Sequence, residues 1–178
     1  PYELLSRPPT KAAWKNLTTT AIDAYWQTKW QDDHAEKSSL KHLNIKACKI
    51  GAPHHIWSTL PPDCREVEKA AVKAKLITGT YVLQYNQAKY NQYENDSTCI
   101  LCKTATEDIT HFLVRCPVLA AQRGYHHASL QRTLLQNCDE LEVAKLFADD
   151  ELMVQFILDC SHEKIQRFLT LPVRWEYI

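Results

Sequence analysis

The sequence predicts an all-α fold, a multi-helix domain, from two observations. Apolar residues recur at the spacing of a buried helix face over several stretches, and polar capping residues precede most of those stretches. Only three glycines occur among 178 residues. Sandwiches and barrels need many tight turns, so this low count disfavours them, and it also disfavours glycine-rich phosphate-binding loops.

The first predicted helix begins after Thr10, a suitable N-cap, and runs to about Asp33. Its apolar stripe comprises Trp14, Leu17, Ala21, Ile22, Tyr25, Trp26 and Trp30. Large aromatic residues on such a stripe usually anchor a core. We therefore expect this face to be buried rather than to form an exposed aromatic binding surface.

A second clear helix is predicted in the middle of the chain. Residues 51–63 contain three prolines and are predicted as a loop. Asp63 can cap a helix that runs to about Thr78, and Gly79 is a suitable terminator. Residues 80–98 are rich in Tyr, Asn and Gln and give no clear helical pattern. Further helices are predicted at about 117–136, 139–147, 149–158 and 162–170, with Asp139 and Asp149 as caps.

A cluster of metal-ligand residues lies between these helical regions. Two residues separate Cys99 from Cys102, eight separate Cys102 from His111, and four separate His111 from Cys116. Zinc favours four soft or borderline ligands in a tetrahedron, and Cys3His is a common closed structural set. The sequence therefore predicts one structural Zn²⁺ in a small Cys3His zinc knuckle. Thr104 and Glu107 resemble a capping box that would start a helix carrying His111.

The predicted knuckle divides the chain into three regions of one compact unit. These are a helical region at 1–98, the knuckle at 99–117 and a C-terminal helical region at 118–178. Net charge is zero, but residues 37–89 contain nine Lys or Arg and three Asp or Glu, a net charge of +6. Residues 99–178 contain eight basic and eleven acidic residues, a net charge of −3. This asymmetry indicates one surface that faces a polyanion.

The seven cysteines do not suggest a disulfide framework, because their number is odd and three are clustered. We expect a reducing, intracellular environment. No apolar run reaches the length of a membrane span, so no membrane association is predicted. The abrupt ends suggest a segment of a longer polypeptide. A second metal site formed by Cys48, His55 and Cys64 is a weaker alternative, since the spacing is irregular.

The sequence shows no catalytic motif. It lacks a P-loop, G-x-S-x-G and H-E-x-x-H, and Asp149-Asp150 is better explained as a helix cap than as a polymerase carboxylate pair. The predicted zinc site has four protein ligands and no open position for water. We therefore expect neither catalytic residues nor a small-molecule substrate.

Residues before the cysteine cluster have the composition of a nucleic-acid-binding surface. Cations that can contact phosphates are interleaved with aromatic rings that can stack on bases. The candidate contacts are Arg65, Lys69, Lys73, Lys75, Tyr81, Tyr85, Lys89 and Tyr90. The alternative, which stays open, is that the lysines solvate a helix and the tyrosines pack.

Several stretches of the chain together resemble the C-terminal segment of LINE-type non-LTR retrotransposon reverse transcriptases from animals. They are WKNLTTTAIDAYW, SLKHLNIKACKIGAPHHIW, KAAVKAKLITGTYVLQ, CILCKTATEDITHFLVRCPVL and FILDCS, which span most of residues 2–160. The resemblance implies zinc ligands at Cys99, Cys102, His111 and Cys116. It also implies a non-catalytic segment of an RNA-directed DNA polymerase that works within a nuclear or cytoplasmic ribonucleoprotein.

The function expected on this basis is binding of template RNA, single-stranded DNA or target DNA during target-primed reverse transcription. The rest of the polyprotein would be a further partner. The alternative is a non-catalytic structural or protein-interaction domain that braces the polymerase or contacts a host factor. The zero net charge favours this alternative, whereas the basic segment at 37–89 favours nucleic acid.

Overall fold

The computed structural model describes residues 8–91, 94–160, 162 and 165. These residues are mostly helical and include no β-strand, only an isolated antiparallel bridge between Thr98 and Thr106. The all-α prediction is therefore confirmed. None of the described helices combines the length and apolar character needed to cross a membrane. The helices are α1 (Lys11–Glu36), α2 (His55–Ser58), α3 (Cys64–Ile77), α4 (Gln84–Tyr90), α5 (Ala120–Leu135), α6 (Glu140–Ala148) and α7 (Asp150–Leu158).

Short 3₁₀ and π-helical turns connect these helices. The 3₁₀ turns are Ser38–Leu40, Ile45–Ala47 and Pro117–Leu119, and the π-helical turn is His111–Arg115. The predicted helix at 162–170 falls almost wholly outside the described residues. Sequence patterns did not predict α4, because its tyrosine- and amide-rich composition has few aliphatic residues to mark a buried face.

Three of the predicted N-caps form as expected. The Thr10 side chain accepts a hydrogen bond from the amide of Ala13, at 3.3 Å. Asp63 accepts one from the amide of Arg65, at 2.8 Å. Asp149 accepts hydrogen bonds from the first turn of α7. These oxygens satisfy amides that have no carbonyl partner inside the helix, and so they fix where α1, α3 and α7 begin.

Two core clusters share helix α7. The first cluster lies between α3 and α7 and consists of Ile56, Ala70, Leu76, Ile77, Leu83, Val154 and Leu158. The second lies among α5, α6 and α7 and consists of Leu134, Val143, Leu146, Met153, Phe156 and Ile165. Because α7 contributes to both, its residues are buried on opposite faces, which explains the nearly continuous apolar run of this helix.

The expectation that the tryptophans of α1 anchor a core was wrong. No described residue of α1 is buried, and Trp14 and Trp26 are 56% and 47% exposed. Helix α1 contacts the rest of the chain near its C-terminal end, where His34 Nε2 lies 3.1 Å from the carbonyl of Leu43. An apolar stripe shows which face of a helix favours burial, but not which segment would bury it. Sequence periodicity therefore could not distinguish a stripe buried within this chain from one left exposed.

We predict that Gly79→Ala destabilises the protein by about 2–4 kcal/mol. Gly79 has φ +67°, and an added Cβ would lie 2.7 Å from Cβ of Ser39. The matched control is Gly124→Ala in α5, where an added Cβ meets no atom within 4 Å. It should stabilise the helix by about 0.5–1 kcal/mol. Urea unfolding midpoints test both, and equal stability of Gly79→Ala and wild type would contradict the prediction.

Candidate metal centre

The first two ligands of the predicted knuckle lie on a tight loop. The Cys99 amide donates to the carbonyl of Ala105, and the Lys103 amide donates to the carbonyl of Cys99, both at 2.8 Å. Lys103 has φ +56°, so the chain reverses through a left-handed residue. This reversal places the sulfur atoms of Cys99 and Cys102 on the same side of the loop.

The other two ligands lie at the ends of the π-helical turn His111–Arg115. The Cys116 amide donates to the carbonyl of His111 at 2.7 Å, five residues back, which is the pattern of a π-helix. Asp108 Oδ1 accepts a hydrogen bond from the His111 amide, also at 2.7 Å, and so begins the turn. The wide turn brings His111 and Cys116 together although four residues separate them in the sequence.

The four side chains form one cluster. Their ligand atoms lie within 4.8 Å of one another. Cys102 Sγ is 3.3 Å from His111 Nε2, and Cys99 Sγ is 4.0 Å from Cys116 Sγ. Ligands of one tetrahedral zinc ion lie roughly 3.4–3.8 Å apart, given Zn–N and Zn–S bonds of about 2.0–2.3 Å. The cluster could therefore hold a metal ion, and its sulfurs are too far apart for a disulfide.

The surroundings favour the thiolate at one ligand more than at another. The Thr104 hydroxyl donates to Cys102 Sγ at 3.2 Å. This hydrogen bond and that of the Thr104 amide lower the pKa of Cys102 to about 6. Burial raises the pKa of Cys99, although amides of the same turn point at its sulfur. The thiolate is therefore favoured at Cys102, whereas burial favours the neutral thiol at Cys99.

Glu107 caps helix α4, and not the helical turn that carries His111 as the sequence suggested. The capping-box interpretation of Thr104 and Glu107 was wrong, because Thr104 contacts Cys102 and Asp108 begins the turn at His111. Glu107 Oε2 instead accepts a hydrogen bond from the Gln84 amide at 2.9 Å, at the start of α4. Glu107 Oε1 lies 3.6 Å from Cys99 Sγ. This buried side chain thus connects the metal-ligand loop with α4.

Two arginine side chains connect the π-helical turn with the helices that follow it. Arg123 of α5 donates to the carbonyls of Cys116 and Phe112, at 2.5 and 3.5 Å. Arg115 Nε donates to Asp150 Oδ2 at 2.5 Å, at the start of α7. Sequence analysis missed Arg123 and Asp108 as supporting residues. The available signal was that Asp108 shortly precedes His111 and that Arg123 shortly follows Cys116. Sequence position does not reveal which amide or carbonyl each side chain reaches.

The predicted nucleic-acid contacts differ in accessibility. Lys73 and Tyr81 are half-buried, and the Tyr81 ring packs near Phe112 with centroids 6.1 Å apart. Lys69 is exposed but pairs with Glu66 at 2.6 Å. Lys89 donates to Ser38 Oγ at 3.1 Å. The exposed members of the set are Arg65, Lys69, Lys75, Tyr85, Lys89 and Tyr90.

Comparison with known proteins assigns no family to the chain. No family model matches it, and no curated protein or solved structure matches it. What the chain does must therefore be inferred from its own residues. The geometry shows a Cys3His cluster that could hold a metal ion, and Glu107 links it to the helix that carries Tyr85, Lys89 and Tyr90.

We predict that Glu107→Ala lowers the free energy of unfolding by about 1–3 kcal/mol, because it leaves the partly buried Gln84 amide without its side-chain acceptor. Glu107→Gln keeps an oxygen acceptor of the same length and should retain most of the stability. Urea unfolding measures the difference, and hydrogen exchange of the Gln84 amide should quicken in the alanine variant alone. Equal losses in both variants would show that charge, rather than the cap of α4, is the important property.

Proposed function

We propose that this chain is a zinc-stabilised nucleic-acid-binding module of a LINE-type non-LTR retrotransposon reverse transcriptase. Its role would be to grip template RNA, single-stranded DNA or target DNA during target-primed reverse transcription, without a catalytic step of its own. The observation that carries this proposal is the attachment of an exposed basic and aromatic segment to a Cys3His cluster through Glu107. The resemblance of the sequence stretches to that family supplies the biological setting.

Zinc is the metal that fits this donor set best. Three thiolates and one imidazole are soft to borderline ligands, which favour zinc over calcium, magnesium or manganese. Four protein ligands complete a tetrahedron, so the bound ion would act as a structural cross-link. Arg123 and Asp108 would hold the ligand-bearing turn in place, and Thr104 would stabilise the Cys102 thiolate through its hydroxyl.

The binding surface we propose lies on α3 and α4. Exposed Arg65, Lys75 and Lys89 provide cations for phosphate oxygens, and exposed Tyr85 and Tyr90 provide faces for unpaired bases. Tyr90 is 66% exposed, which leaves most of its ring available to stack. Glu107 fixes the start of α4 relative to the metal loop, so an intact cluster would hold this surface in a defined orientation.

A second candidate function is protein interaction through α1. Its exposed large apolar residues form one stripe along the helix: Trp14, Leu17, Ile22, Tyr25 and Trp26. Contiguous exposed apolar surface of this kind marks interaction sites in soluble proteins. The stripe would pack against the polymerase portion of the polyprotein or a host factor, and in that role nucleic-acid contact by α3 and α4 would be incidental.

The first prediction from the proposed function concerns zinc. Purified protein should retain about one tightly bound zinc ion per chain after dialysis, and Cys102→Ser should lose it. Structural zinc sites contribute on the order of 10 kcal/mol, comparable to the stability of a whole domain. Circular dichroism of the chelator-treated protein should therefore show loss of the native fold. A metal-free Cys102→Ser protein that stays folded would contradict a structural role for the ion.

The second prediction concerns RNA and single-stranded DNA. The logarithm of the binding constant should fall linearly with the logarithm of the salt concentration. The reason is that Lys and Arg side chains displace counterions from the phosphates when the protein binds. The double variant Lys75→Gln with Lys89→Gln should reduce the slope by about 2, one for each lost phosphate contact. Fluorescence anisotropy at several salt concentrations measures it.

The matched control for this experiment removes the same charge elsewhere. Lys11→Gln with Lys145→Gln alters exposed lysines on α1 and α6. This control should leave the slope unchanged. Equal effects of the two double variants would show a non-specific charge effect and contradict a surface on α3 and α4. No binding by wild type at low salt would remove the nucleic-acid proposal and leave protein interaction through α1.

A further inference from the structure

A second cluster of metal-ligand side chains lies where α2 meets the end of α7. His54 and His55 stand at the start of α2, and Asp159 follows the last residue of α7. Their ligand atoms lie within 4.8 Å of one another. His55 Nε2 is 3.2 Å from Asp159 Oδ1, and the centroids of the two imidazole rings are 4.2 Å apart. More than a hundred residues of sequence separate the aspartate from the histidines.

This cluster differs from the weaker alternative that the sequence suggested. Cys48, His55 and Cys64 do not come together as a group of potential ligands among the described residues. Cys64 is exposed at the start of α3, and Cys48 Sγ donates to the carbonyl of Asn44 at 3.4 Å. His55 instead lies beside His54 and Asp159, which offer nitrogen and oxygen ligand atoms.

Two of the three side chains place potential ligand atoms in the interior. The Asp159 side chain is fully buried, and a buried carboxylate is stable only beside positive charge or hydrogen-bond donors. His54 Nε2 is also buried, and it has no hydrogen-bond partner among the described residues. An imidazole nitrogen in this position can bind a metal ion, and coordination would give it the partner it lacks.

We propose that His54, His55 and Asp159 form a second metal site, which takes a divalent transition ion such as Zn²⁺. The 3.2 Å between His55 Nε2 and Asp159 Oδ1 fits two ligands of one ion, which lie roughly 3.3–3.5 Å apart at bond lengths of about 2.0–2.2 Å. Two imidazoles and one carboxylate leave at least one coordination position for water. This site is independent of the proposed nucleic-acid function.

The hydrogen bonds of His54 determine which nitrogen would bind the ion. His54 Nδ1 accepts a hydrogen bond from the Ile56 amide at 3.3 Å and so caps α2. The other nitrogen, Nε2, is the one left for a metal. Coordination through Nε2 moves the ring proton to Nδ1, and the capping hydrogen bond is lost. Because that bond is already longer than most N–H hydrogen bonds, its loss is a small cost beside a new metal bond at a buried nitrogen.

The test is a titration of the full chain with Co²⁺ after the cysteine cluster has been loaded with Zn²⁺. Wild type should bind one further ion, with weak visible absorption and no thiolate-to-cobalt charge-transfer band, because its ligands are nitrogen and oxygen. His54→Asn should lose this ion, with an affinity at least 100-fold weaker. Its side-chain oxygen can still accept from the Ile56 amide, so the cap of α2 is kept while Nε2 is removed.

A control and a second variant complete the test. His126→Asn makes the same change at an exposed histidine of α5 and should bind the ion as wild type does. His55→Ala, at a side chain that is 35% exposed, should lose the ion even if His54→Asn does not fold. If wild type binds no further Co²⁺, or if His54→Asn and His55→Ala both bind it normally, the site is overturned and the cluster is a buried histidine–carboxylate contact. Failure of RNA binding would leave this result unaffected.

Discussion

The constraint on which the rest of the structure depends is the closure of the π-helical turn between His111 and Cys116, two members of the Cys3His cluster. His111 begins the turn and Cys116 follows it, and three of the four residues between them, Phe112, Leu113 and Val114, pack against the first core cluster. Val114 also packs against the second core cluster. A π-helical turn is rare, and this one is held by the hydrogen bond from the Cys116 amide to the His111 carbonyl and by Asp108. The geometry of the turn therefore determines which of its side chains enter the core.

Helix α7 contributes residues to both of the core clusters against which the turn packs. Val154 and Leu158 pack in the first core cluster, and Met153 and Phe156 pack in the second. A helix buried on both faces has little room for polar residues, yet Gln155 is 3% exposed. Its amide group exchanges two hydrogen bonds with His42, so its burial carries no unsatisfied donor or acceptor. The proposed second metal site would hold the C-terminal end of the same helix to α2.

Local signals in the sequence predicted more of this structure than long-range signals did. The caps at Thr10, Asp63 and Asp149 and the Cys3His cluster involve residues close together in the sequence, so spacing alone indicates them. Contacts between distant segments were not predictable. Glu107 has the spacing of a capping residue but caps a helix more than twenty residues earlier in the chain. The partner of His55 could not be found from spacing either.

The exposed apolar stripe of α1 makes the two candidate functions compatible with each other. An isolated helix in water is marginally stable, and α1 gains little support from the rest of the described chain because none of its residues is buried. A protein surface that covered Trp14 and Trp26 would stabilise it by removing apolar area from water. The proposed nucleic-acid surface on α3 and α4 uses different side chains, so the two proposed contacts do not compete for the same residues. Under both proposals, a chain with zero net charge would bind a polyanion through one local basic surface, and its exposed aromatic helix would attach it to a protein partner.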